Sequence, residues 1–122
     1  MFLKPFALNI FLWYLVSVFM QQPCRDLPSS FRSYQEAINK ISSASFVQTD
    51  NANTSKSSFI TSANFYSCNG QTGYLIIGIN NRPYIHKDLP VKLWYQFKNA
   101  RSFGTFYTQH IRNKYRLSLT SN

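Results

Sequence analysis

The chain is poor in acid, cysteine, glycine and histidine, and each shortage removes a class of function. Four Asp and Glu among 122 residues leave too few carboxylates for paired acid/base catalysis or for an oxygen cage around a hard cation. Cys24, Cys68, His86 and His110 are all the Cys and His present, and none stands at C-x-x-C or H-x3-H spacing, so no zinc site is expected. Four Gly form no Gly-rich phosphate loop; Gly104 is a single glycine at a helix start. No cofactor is implied. The length itself admits one ordinary domain with appendages and excludes multidomain enzyme architectures.

What the chain has in excess is base and aromatic ring. Lys and Arg total 13, for a formal charge of +9, and Phe, Tyr and Trp make up 17% of the residues. That aromatic content is more than a solvated disordered chain carries, so a packed core is expected.

Phe6 to Met20 reads FALNIFLWYLVSVFM, preceded by Lys4 and followed by Gln21, Gln22 and Pro23. Such a run spans about 22 Å as a helix, short of a bilayer's roughly 30 Å hydrocarbon core but near the upper end of a signal-peptide apolar region. Residues 1–23 are read as a signal-like or anchor segment, which favours an exported or membrane-anchored protein over a cytoplasmic one. No pair of small residues marks a cleavage site, so an uncleaved anchor stays open, as does a buried helix of the folded unit. Pro23 before Cys24 is a poor context for lipidation.

Residues 24–56 are read as a short amphipathic helix followed by a polar linker. Ser33 and Glu36 have capping-box spacing, and Phe31, Tyr34, Ile38 and Ile41 follow at helical intervals, which predicts a helix over 33–42. Its narrow apolar stripe requires a surface to dock on. Ser42 to Ser58 is expected to be flexible, with Asn53-Thr54-Ser55 a formal glycosylation acceptor.

The charge is concentrated downstream: residues 57–122 hold eight bases and one acid (+7), against five bases and three acids (+2) in 1–56. Ile60–Tyr66, Tyr74–Ile79 and Pro83–His86 suit three strands, with Leu75, Ile77 and Ile79 on one face. Asn80-Asn81 can turn the chain tightly because Asn tolerates positive φ. Pro90 opens a helix with Leu93, Trp94, Phe97 and Ala100 along one stripe. Ser102 caps another in which Tyr107 and Ile111 lie four apart. The expected fold is α+β: a three-stranded antiparallel meander followed by two packed helices, preceded by an apolar N-terminal helix and a flexible linker.

The string Tyr84-x-His86-x-x-Leu89-Pro90-x-x-Leu93-Trp94-x-x-Phe97-x-x-Ala100-x-Ser102-x-Gly104-x-Phe106-Tyr107-x-x-x-Ile111-Arg112-x-x-Tyr115 resembles the KTSC domain, a module at the carboxyl end of some lysyl-tRNA synthetases that also occurs alone. The resemblance covers about residues 57–117. It departs at His86, where the family usually has a second Tyr, at Thr108, where Asn is frequent, and at the shorter Asn80-Asn81 hairpin. What it implies for function is a small binding module, with nucleic-acid contact suggested by its domain companions.

No catalytic constellation accompanies that pattern. His86 reads as a packing or edge residue and His110 as a half-exposed surface imidazole. Ser102 reads as a cap, since no acid is placed to orient a histidine partner. Cys24 and Cys68 are expected to form a disulfide if the chain is exported and to stay reduced in a cytosolic one. Lys98, Arg101, Arg112, Lys114 and Arg116, interleaved with Phe103, Tyr107 and Tyr115, suit phosphate contact with base stacking. Bases at helix ends also serve solubility and the helix macrodipole. Two readings compete: a non-enzymatic module whose basic face, including Tyr115, contacts nucleic acid or another polyanion, and an envelope interaction protein that meets acidic lipid or an acidic protein partner. No small-molecule substrate is evident.

Overall fold

A computed structural model describes residues 22–120. The apolar run over 6–20, and with it the signal or anchor reading, lies outside the described residues. Helix α1 (Tyr34–Ser43) starts at Ser33, whose Oγ accepts from Glu36 N, while Glu36 Oε2 accepts from Arg32 N (2.9 Å). Both bonds satisfy amide groups left without partners at a helix start.

Four strands follow: β1 (Gln48–Asn51), β2 (Ile60–Ser67), β3 (Thr72–Ile79) and β4 (Arg82–Pro90), antiparallel in the order β1-β2-β3-β4. This corrects the three-stranded expectation and the flexible linker over 42–58. Gln48 to Asn51 pairs with Asn64 to Ser67 on the free edge of β2. Its polar sequence gives no β signal, because an exposed edge strand is held by backbone bonds and not by an apolar face. Helices α2 (Val91–Lys98) and α3 (Phe103–His110) complete the order. Pro90 is the residue before α2 and not its first turn, whereas Ser102 caps α3 by accepting from Thr105 N (3.2 Å).

The turns follow side-chain chemistry. Asn80 and Asn81 take φ values of 51° and 66° between β3 and β4, the two positive dihedrals that a two-residue hairpin requires. Between β2 and β3, Asn69 Oδ1 accepts from the amides of Gln71 and Thr72, and the buried Ser67 hydroxyl donates to Thr72 O (2.6 Å).

The sheet is covered on both faces. On one, Phe65, Leu75, Ile77 and Leu89 pack with Trp94, Phe97, Tyr107 and Ile111 from the carboxyl-terminal segment. Phe65 stacks on Trp94 at 5.3 Å between centroids and Trp94 on Phe97 at 5.8 Å. On the other, Tyr74, Ile76 and Ile85 pack with Phe31, Ala37, Ile41 and Leu117. Strand β3 is therefore buried from Gly73 to Gly78 without alternation, as a central strand between two layers must be. Each large side chain so buried contributes about 1.5–3 kcal/mol. Cys24 and Cys68 are joined, with Cα atoms 5.9 Å apart, tying the segment before α1 to the end of β2.

Candidate functional site

The six residues read from sequence as a basic-aromatic face do not come together. Lys98 Nζ lies 2.9 Å from Asp50 Oδ2 and 3.1 Å from Oδ1, and the same carboxylate accepts from Trp94 Nε1 (2.9 Å). The Lys98 hydrogen bond holds the Asp50 carboxyl below its ordinary value against the opposing effect of burial. Lys98 thus ties β1 to α2. Arg101 lines a different hollow, with Lys56, Ser102 and Phe103. Tyr115 packs its ring against the core and offers its carbonyl to His86 and to the amide of Lys87. Its ring is half-buried.

Arg112 and Arg116 do converge. They line a cleft of about 630 Å³ that runs past the outer edge of β4, walled by α1 residues Tyr34 and Ile38 and by Tyr107 and Thr108 of α3. Three of the large apolar side chains left exposed in this fold stand around it: Tyr34 at 53%, Tyr84 at 45% and Phe59 at 38%. Lys114 lies in the turn between the two arginines. Phe59 reaches the cleft because Gly104 has no side chain: a Cβ there would stand 2.3 Å from the Phe59 ring.

His86 forms part of the cleft wall although it is only 4% exposed. Its Nδ1 is 3.0 Å from Tyr115 O and its Nε2 is 2.8 Å from Tyr107 Oη. A carbonyl can only accept, so Nδ1 carries the proton, and in the neutral ring Nε2 must accept from the Tyr107 hydroxyl. Burial pushes the imidazole below its ordinary value. The Tyr115 carbonyl opposes that shift and the charge of Arg116 adds to it. Burial likewise raises the Tyr107 phenol, opposed by Arg112. His110 is exposed, its ring against Phe106 at 4.6 Å. Among the described residues no three His, Cys, Asp or Glu gather as a metal site, and no helix is long and apolar enough to cross a membrane.

Sequence reasoning located Arg112 and Arg116 but passed over Tyr34, Phe59, Tyr84 and Thr108 as cleft residues. The alternation Tyr84-x-His86 was the available signal for the β4 wall. Nothing local announces that Tyr34, on a helix some fifty residues earlier, faces the same space.

The sequence pattern of the KTSC domain matches residues 56–115. Residues 56–115 are a KTSC domain. The match takes in β2 to β4, α2 and α3, while α1 and β1 precede it. The KTSC unit therefore supplies the sheet edge and the α3 wall of the cleft, and the residues before it supply Tyr34 and Ile38. No curated protein and no solved structure matches the chain.

Proposed function

We propose that this protein is a small non-enzymatic binding module of the KTSC type that engages single-stranded nucleic acid through the cleft beside β4. The observation that carries this reading is the convergence of Arg112 and Arg116 with the exposed rings of Tyr34, Tyr84 and Phe59 around one opening. Guanidinium groups meet phosphates while unpaired bases stack on aromatic faces, the combination by which single strands are held. Within the cleft wall the Tyr107 hydroxyl donates to His86 Nε2 and His86 Nδ1 donates to Tyr115 O, so both ring nitrogens are engaged by the fold.

The salt dependence of oligonucleotide affinity tests the reading. Four phosphate contacts would give a log–log slope of about −3 to −4. Lys98 is engaged by Asp50 and Arg101 lies elsewhere, so two arginines, with Lys114 between them, lower the expectation to about −1.4 to −2 for a single strand. Arg112→Ala and Arg116→Ala should each remove roughly 0.7 from the slope. Absence of binding at low salt, or a flat dependence, refutes the proposal.

A second reading is an exported envelope protein whose basic face meets acidic lipid or protein. The Cys24–Cys68 bond supports it, because disulfides persist in oxidising compartments. Fractionation of cells expressing a carboxyl-terminally tagged chain separates the two: soluble full-length cytosolic protein favours the first.

A further inference from the structure

The hydroxyl protons on the α3 wall of the cleft are already committed. Tyr107 gives its proton to His86 Nε2 (2.8 Å), a direction fixed by the Tyr115 carbonyl at Nδ1. One turn of chain chemistry repeats at the neighbouring residue, where Thr108 Oγ1 donates to Gly104 O (2.9 Å). Each oxygen is left with lone pairs and no free proton, so this wall can accept hydrogen bonds but not donate them. The arginines have the opposite character, since a guanidinium only donates. The cleft is therefore polar in a definite sense, accepting at the Tyr107 and Thr108 oxygens and donating at Arg112 and Arg116.

We infer that the cleft selects bases bearing an exocyclic amino group, adenine and cytosine, over thymine and uracil, with Tyr107 and Thr108 accepting the amino protons. This rests on the single-strand reading above and adds a base preference to it. Tyr34, Tyr84, Thr108 and both arginines line the same cleft, so a nucleotide whose phosphate meets the arginines and whose ring meets either tyrosine would turn a base edge toward the α3 wall. An amino group offers that wall two protons. Thymine and uracil flank their one N–H with two carbonyl oxygens, which would set lone pair against lone pair. Guanine likewise carries an exocyclic amino group, beside a ring N–H, and falls with adenine and cytosine. Repulsion from unmatched acceptors discriminates as effectively as the bonds gained.

Fluorescence anisotropy with labelled dA, dC and dT oligomers on the full disulfide-bonded chain at low salt tests this. The dA and dC strands should bind about tenfold more tightly than dT, the scale of one or two net hydrogen bonds. An oligomer of N6,N6-dimethyladenine, which keeps the stacking surface and loses the donors, should fall to the dT level. Thr108→Val should shrink the preference several-fold and leave the salt slope unchanged. Tyr107→Phe should do the same, but it strips His86 Nε2 of its donor, so the valine variant and the methylated strand decide the matter if that protein does not fold. Equal affinity for dA, dC and dT with a normal salt slope overturns the base preference and leaves the single-strand reading standing. No binding by any strand overturns both.

Discussion

Removing the Cys24–Cys68 bond should destabilise the protein chiefly through its unfolded state. The cysteines are 44 residues apart, and closing a loop of that length withdraws about 4 kcal/mol of chain entropy from the unfolded ensemble. That is a large share of the 5–15 kcal/mol typical of a domain. The loop contains α1, β1 and β2, so the bond could act in two ways. If Phe31, Ala37 and Ile41 keep α1 seated on Tyr74, Ile76 and Ile85 without it, the Cys24→Ser/Cys68→Ser chain should unfold in urea at a lower midpoint. Its m-value should be equal or higher, because the unfolded chain expands once uncrosslinked. If α1 instead detaches, less surface is exposed on unfolding and m should fall. The buried packing predicts the first outcome, with a loss of about 4 kcal/mol. Mass measurement with alkylation establishes the bond beforehand. Two free thiols in native exported protein, or an unchanged midpoint in the double variant, would refute the reasoning.

Other perturbations are equally specific. Gly73→Ala should cost about 3 kcal/mol, since overpacking has no room to relax here: the new Cβ would lie 2.4 Å from the Tyr66 backbone carbonyl. A thermal melt within a degree of the parent would contradict it. Trp94→Phe should lose about 2 kcal/mol from the bond to a charged acceptor, together with a smaller ring, because Asp50 loses the indole donor and keeps only Lys98 and the Asn51 amide; chemical denaturation reads this directly. Because burial lowers the folded His86 value, the unfolded state binds more protons as pH falls. Stability should be full above the ordinary imidazole value of 6.5 and decline below it toward the folded value, and His86→Gln should flatten that limb. Asp50 acts lower down: its folded value lies under the ordinary 3.8, so its contribution persists above that pH and disappears as pH falls through the folded value.

Elements whose residues carry both propensity and burial were legible in the sequence. Strands β2 and β3, the Asn80-Asn81 turn, the Trp94 and Phe97 stripe and the Ser102 cap all rest on local chemistry that tertiary contacts reinforce. Strand β1 was not legible, because Gln48, Thr49, Asp50 and Asn51 are placed by the open edge of β2, a partner distant in sequence. The candidate site was legible only in part for the same reason. Charge spacing marks Lys98 and Arg116 alike as available, yet only the fold shows Asp50 against one and a cleft beside the other. The unalternating run from Tyr74 to Ile79 contained an unread clue: a half-buried strand would alternate, so Tyr74 and Ile76 required a second covering layer.

That second layer connects stability to the cleft. The residues matched to the KTSC family end their sheet at β2 and leave the Tyr74, Ile76 and Ile85 face bare, an apolar surface that water would penalise. Helix α1 covers it, and the Cys24–Cys68 bond anchors the chain leading into α1. In covering the face, α1 also brings Tyr34 and Ile38 to the cleft beside β4. One helix thus completes the core with Ala37 and Ile41 and the opening with residues on its adjacent turns, so the two roles separate by substitution. Tyr34→Ala removes an exposed ring and should leave the unfolding midpoint within about 0.5 kcal/mol of the parent, while weakening single-strand affinity by the roughly 1–3 kcal/mol of one base–aromatic stack. Ile41→Ala should destabilise by about 2–5 kcal/mol. A Tyr34→Ala chain that keeps full affinity would place the bound strand away from α1, and with it the cleft would lose its claim to be the binding surface.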